Sequence, residues 1–302
     1  MTLSASSSLK GNPSEMMQNI LTVDLEDWYV VENLKGNITF KEWEKLPARV
    51  IETTDRLLGL FDYFGVRATF FVLGWIAKRH PHLINHIASH GHEISCHSYQ
   101  HGRIDLLNEK EFRDDTHQAV RAIEDACGIT PIGYRAPSWS INSRVSWAFD
   151  VLAEMGFLYD SSIYPVKHDI YGDPDGPKNI FKMKLGNGRY LFEIPASTVR
   201  IFGRNYPVGG GGYLRHSPFW FTELMIKKLN KAGHPAIIYM HPWELDEDQP
   251  RPKGLSLFQR YRQYGSIMTL QKKIELILQR FDFTSANDYI RTSMKKPIGF
   301  DR

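Results

Sequence analysis

The sequence predicts an α/β chain whose short strands alternate with helices and curl into a closed or nearly closed barrel. Three observations carry this expectation. At 302 residues the chain is the size of one large domain or two small ones, and single α/β barrels commonly reach that size. Apolar runs of strand length are followed repeatedly by stretches of about 10 to 20 residues with helical spacing, which implies βαβ units and a mainly parallel sheet. Polar residues collect just after those strands, at the end of a parallel barrel where the loops build active sites.

Taken in order, NILTVDLEDW is a strand that ends in acids, and RVIETTDRLLGLFDYFG is a helix with a Gly stop. RATFFVLG is the next strand and HPHLINHIASHG the next helix; HEISCH, NEKEFRDDTHQAVRAIEDACG and PIGYRAPSWS continue as strand, helix and strand-then-loop. SRVSWAFDVLAEMG reads as a helix and FLYDSSI as a strand, and later strands are expected in LFEIPAS, PAIIYMH and DFTSA, the last after the helix TLQKKIELILQRF. Residues 163–216, rich in Gly, Pro and Tyr, form a loop-rich insert; residues 1–19 are a Ser-rich disordered leader and 291–302 a tail.

Composition excludes several functions. The chain is 42% hydrophobic and 24% charged, with 37 basic and 34 acidic residues intermixed. No Lys/Arg block or basic stripe points to nucleic acid, and no apolar run approaches the roughly 18 residues of a transmembrane segment. Cys96 and Cys127 are the two cysteines, too few for a disulfide framework in a chain this long. Cys96 is expected as a buried apolar thiol on the strand face opposite His97. The first twenty residues lack an apolar signal core, so the expected location is cytoplasmic.

Five strand ends carry chemistry. Asp24, Glu26 and Asp27 put three carboxylates within four residues, which is costly to bury without a cation or an arginine. His97 and His101 are four apart in HSYQH, a spacing that turns both imidazoles one way on a helical turn, and imidazole is a common metal ligand. The upstream His80, His82, His86, His90 and His92 read as exposed helix and loop residues. Arg135, on a Pro-stiffened turn, can hold a carboxylate bidentately, and Asp160 ends another strand. His241 follows the apolar run AIIYM and is placed to act as a general acid. Each signal alone has an ordinary reading: an acidic turn, a surface ion pair, a structural histidine. Together they make a metal hydrolase kit, with two His and one carboxylate suiting zinc or a related divalent ion acting on water. Trp28, Trp139, Trp220 and Trp243 are aromatics that can stack on sugar faces, though core packing is the commoner role. The glycines at 209–212 allow a close backbone approach.

These motifs resemble the polysaccharide deacetylase superfamily, carbohydrate esterase family four, in its allantoinase-related and exosortase-associated branch. LTVDLEDW stands at the first, acid-pair motif; HGHEISCHSYQH matches His-Ser/Thr-x-x-His, with Ser98 in place; GYRAPSWS resembles Arg-x-Pro, YDSS the fourth motif and IIYMHPWE the fifth. The stretch from GGGGYLRHSP to HPWELDEDQPR is similar to the C-terminal extension of that branch. The resemblance covers nearly all of residues 20–290. It implies a single-domain, distorted (β/α)7-type barrel holding one divalent metal, usually Zn2+, and removal of acetyl from N-acetylated sugars of a polysaccharide or its lipid-linked precursor in exopolysaccharide or cell-envelope synthesis. On that analogy Asp24 is the general base held by Arg135, His241 is the general acid, and His97 and His101 are ligands. The family has two adjacent aspartates, but here Leu25 follows Asp24, so the third ligand is Asp27, the preferred choice, or Glu26. The competing expectations are an amidohydrolase acting on a cyclic amide or ureide, and a catalytically silent saccharide-binding protein.

Overall fold

The computed structural model describes residues 17–168, 172–186 and 188–294. Most of the expected leader and the end of the expected tail lie outside these residues. Strand β1 (Gln18–Leu25) begins within the expected leader. It is followed by α1 (Val50–Phe64), β2 (Thr69–Val72), α2 (Gly74–Arg79), α3 (Pro81–Ser89), β3 (Glu93–Cys96) and α4 (Glu109–Cys127). Then come β4 (Gly133–Tyr134), α5 (Trp147–Glu154), β5 (Tyr159–Asp160), β6 (Phe181–Lys184), β7 (Tyr190–Glu193), β8 (Thr198–Ile201) and β9 (Arg204–Pro207). The chain continues through α6 (Gly211–His216), α7 (Phe219–Lys231), β10 (Ile237–Met240), α8 (Leu257–Tyr264), α9 (Ile267–Arg280), β11 (Asp282–Thr284) and α10 (Ala286–Met294). None of the described helices is long and apolar enough to cross a membrane.

Seven strands run parallel in the order β10-β1-β2-β3-β4-β5-β7. β11 pairs parallel with the start of β1, and β6 pairs antiparallel with β7 at the edge. The sheet curls into the distorted barrel that the alternation of elements predicts. Between β7 and β10 the ring is completed by irregular chain: Ser197 Oγ accepts the Ile237 N–H, and the Tyr239 N–H donates to the Gly209 carbonyl at 2.7 Å. Gly209 and Gly210 therefore serve this close approach, because a Cβ on Gly209 would lie 2.3 Å from the Ile237 carbonyl oxygen and one on Gly210 2.0 Å from the Tyr239 ring.

The period-2 pleat sorts each strand into two faces. On β1, Leu21, Val23 and Leu25 pack outward in the large core under the helices, with Phe70, Val72, Ile94, Cys96 and Met240 of neighbouring strands. Ile20 instead joins Phe71, Tyr159, Phe192 and Ile237 in a smaller inner cluster. Thr22 and Asp24 share the inner parity of Ile20. The same alternation sets Cys96 outward, buried and free as expected, while His97 turns inward.

Three expectations are corrected. The loop-rich insert holds β6, β8 and β9 beside the strand expected at LFEIPAS, which is β7, and the half-exposed pattern of β6 hides its strand character. The tail expected from residue 291 begins inside α10. His92 is buried, its Nδ1 accepting the Ala68 N–H at 3.1 Å between the Phe61 and Phe70 rings, and burial pushes it down to about 4.

Gly210→Val is expected to cost roughly 1–3 kcal/mol by overpacking, read as a lower denaturation midpoint. Gly212→Ala, whose Cβ meets nothing nearer than 3.8 Å, should move it by less than about 0.5 kcal/mol.

Candidate metal and acid–base site

Thr22, Asp24 and Glu26 follow one another at the two-residue interval, so the inner face of β1 delivers both acids to the barrel mouth. Asp27 falls on the other face. Its carboxylate accepts the backbone N–H groups of Trp28 at 2.8 Å, Arg49 at 2.9 Å and Val50 at 3.1 Å, where the unpaired N–H groups at the start of α1 favour an anion. Burial still pushes Asp27 up to about 6 against those donors. The expectation that Asp27 joins the two histidines is thus corrected; Glu26, the alternative, stands there.

Glu26, His97 and His101 are all buried, and one ligand atom from each lies within 4.8 Å of the other two. Glu26 Oε1 is 3.2 Å from His97 Nε2 and 2.9 Å from His101 Nε2. His97 Nδ1 lies 2.7 Å from the Arg135 carbonyl, which can only accept, so Nδ1 carries the hydrogen. A neutral His97 then turns a bare Nε2 toward a carboxylate oxygen. Two lone pairs meeting in a buried place need a proton or a cation between them. The donor set therefore fits a divalent metal. Burial alone would raise Glu26, but His101 and His241 outweigh it and hold the carboxyl well below its usual range.

The histidines do not converge on a helical turn, as the spacing suggested, but on irregular chain after β3. Ser98 and His101 have φ of 65° and 57° there, and the Ser98 Oγ accepts the His101 N–H at 3.1 Å. Ser138 and Trp139 on the next loop have φ of 52° and 50°. Four of the six non-glycine residues with positive φ among those described thus surround this mouth, and strained backbone of this kind concentrates at functional sites.

Arg135 is fully buried and donates from Nη1 to Asp24 Oδ1 at 2.6 Å and Thr22 Oγ1 at 2.9 Å, and from Nη2 to Ser161 Oγ at 2.9 Å. Its guanidinium lies over Phe71 at 4.1 Å and Trp139 at 4.7 Å. Beside it Asp24 Oδ2 is 3.8 Å from His241 Nε2. His241 Nδ1 is 2.9 Å from Glu244 Oε2, and Glu244 Oε1 takes the Arg215 Nε–H at 2.7 Å. Arg215 and Glu244 are both buried, and the remaining Arg215 donors clasp the carbonyls of Arg262, Gln263 and Gly265. Trp243 stacks on the His241 ring. Burial lowers His241, but the charges of Glu26, Glu244 and Asp24 win and push it up to about 9.

A cavity of about 830 Å³ opens over these groups and is lined by Asp24, Glu26, His97, His101 and His241 together. Trp139, Trp220 and Trp243 line it too. Trp28 does not: it is buried and donates to the Pro47 carbonyl. Asp160 also stays below the mouth, opposite Glu193 in the β5–β7 register, accepting from the Ser162 N–H and Oγ–H while Glu193 accepts the Ile163 N–H. Glu244 and Arg215 were not singled out in the sequence. Glu244 lies three residues after His241, a capping-box spacing that marks it; nothing local marks Arg215.

Fold and site together define an α/β barrel protein with an Asp–His pair set against a three-donor metal-type cluster. A family profile described as polysaccharide deacetylase matches residues 38–159, and one described as domain of unknown function (DUF3473) matches residues 161–291. The chain is 31% identical over 99 residues to the peptidoglycan-N-acetylglucosamine deacetylase of Bacillus cereus, covering 32% of this chain and 36% of that protein. It is 32% identical over 108 residues to the peptidoglycan deacetylase of Helicobacter pylori, covering 36% of each. The matched segments thus span about a third of these relatives' length. The crystal structure of a putative polysaccharide deacetylase from Mycobacterium smegmatis superposes with a TM-score of 0.57 at 22% identity, over 97% of this chain and 96% of that one, and shares the fold. Residues 38–159 thus resemble the polysaccharide deacetylase family, and residues 161–291 the family of unknown function.

The Asp160–Glu193 pair sets a pH dependence. Burial pushes Asp160 up to about 6 from 3.8, against its hydrogen bonds from Glu193 and Ser162, while burial and the Asp160 charge push Glu193 well above its usual range. Between those values the folded chain binds more protons than the unfolded chain, so the pair's contribution to stability falls as pH rises from about 4 through 6. Glu193→Gln should flatten that slope in denaturation midpoints measured from pH 4 to 8.

Proposed function

We propose that this protein is a metal-dependent hydrolase that removes acetyl groups from N-acetylated sugars of a polysaccharide or its lipid-linked precursor, in exopolysaccharide or cell-envelope synthesis. One observation carries the reading: Asp24 and His241 approach to 3.8 Å beside the Glu26–His97–His101 cluster, so a base, an acid and a cation site face one cavity. The deacetylase names of the two bacterial relatives support an N-acetylhexosamine as the substrate unit.

Glu26, His97 and His101 would hold the ion, and two imidazole nitrogens with one carboxylate oxygen suit Zn2+ with positions left open. When bound, the ion supplies Lewis acidity to water and to the acetamide carbonyl. The residues divide the proton work. Arg135 occupies Asp24 Oδ1, leaving Oδ2 to accept a proton from the attacking water. Glu244 fixes His241 through Nδ1, so Nε2 faces the cavity and protonates the departing amine as the C–N bond breaks.

The test is acetate release from a panel of N-acetylglucosamine oligomers, with and without chelator. Release should stop with chelator and return with Zn2+. Asp24→Asn and His241→Ala should each lower kcat by about 10²–10⁴. Unchanged release by Asp24→Asn removes the base assignment. Release that persists in chelator indicates metal-free amide or ureide hydrolysis, and saccharide binding without release indicates a silent binding protein.

A further inference from the structure

The cavity over the site extends well beyond the groups that handle an acetamide. Its far wall is built from α6, α7 and α8, within the segment matched only by the profile of unknown function. Tyr213, Trp220, Phe258 and Tyr261 line it there. Trp220, Phe258 and Tyr261 are 64%, 66% and 59% exposed, a large aromatic area for a chain to leave in water. Phe258 and Tyr261 sit one turn apart on the same side of α8.

This wall is held in place. Asn33 and Gln259 exchange side chain to backbone hydrogen bonds of 2.9 and 3.1 Å, tying α8 to the loop after β1. Arg215 grips the carbonyls at the end of α8 and, through Glu244, the same His241 that faces the catalytic end. The aromatic wall and the acid–base pair are thus parts of one braced unit. Arg262 and Gln263 also line the cavity there. Flat apolar faces interleaved with polar groups in a concave, preformed site match a ligand with apolar ring faces and polar edges. A pyranose has that chemistry.

We propose that Tyr213, Trp220, Phe258 and Tyr261 form a saccharide subsite that stacks the sugar rings flanking the one being deacetylated, making this protein a binder of oligomers rather than of single residues. The proposal rests on the deacetylase reading for the ring at the catalytic end, while the stacking itself does not require turnover. Continuity with the catalytic cavity selects a saccharide arm over a protein partner as the occupant.

The test compares Trp220→Ala and the double variant Phe258→Ala/Tyr261→Ala with the parent protein, using N-acetylglucosamine dimer and pentamer. These side chains are exposed, so the variants should fold, and an unchanged melting temperature checks that. Stacking worth about 1–1.5 kcal/mol per ring predicts a roughly tenfold weaker pentamer affinity in calorimetry. The loss of kcat/KM should be steeper for the pentamer than for the dimer. Equal effects on dimer and pentamer, or an unchanged pentamer affinity, overturn the subsite. Absence of acetate release together with Trp220-dependent pentamer binding contradicts the hydrolase reading alone and leaves the subsite standing.

Discussion

A carboxylate buried against two imidazole nitrogens is the constraint on which the mouth of this barrel is built. Glu26 is 4% exposed, and an isolated charge at that depth costs several kcal/mol. His97 and His101 can share a cation with it only if their rings are held with Nε2 inward. For His97 the Arg135 carbonyl does this, while the Arg135 side chain holds Asp24. One residue thus orients a candidate ligand through its backbone and a candidate base through its guanidinium. The left-handed turns at Ser98, His101, Ser138 and Trp139 are the conformational cost of bringing these groups together.

The chain's C-terminal half is part of this machinery. His241 directly follows β10, its carboxylate partner comes from the turn after it, and the arginine behind that carboxylate from α6. The boundary between the two family profiles falls within β5. Yet β5 pairs with β4 on one side and β7 on the other, so the sheet crosses that boundary without a break. A single barrel, rather than a catalytic unit with an appendage, carries the site.

Much of this was legible in the sequence because parallel strands leave a plain mark: an apolar run, then polar residues, then a helix. That pattern located Asp24, His97, Arg135 and His241 at neighbouring strand ends, where the structure puts them. The preference for Asp27 over Glu26 overlooked the pleat. Counting by two from Thr22 through Asp24 reaches Glu26, and the odd residue faces α1 instead. His92 was misjudged because a histidine inside a polar run looks exposed, although its ring fills a gap between two phenylalanines. Helices α7 and α8 went unread because Trp220, Leu224, Phe258 and Tyr261 blur the amphipathic pattern with apolar residues on their exposed sides. Arg215 meets Glu244 across 29 residues, a contact that no local spacing announces.

Anomalous X-ray diffraction from crystals of the Zn2+-loaded protein tests the central claim most directly. The account predicts one strong zinc peak at bonding distance, roughly 2.0–2.2 Å, from Glu26 and from the Nε2 atoms of His97 and His101, with Asp27 still on the start of α1 and Asp24 free beside it. A peak ligated by Asp27, or one lying away from both imidazoles, would contradict it.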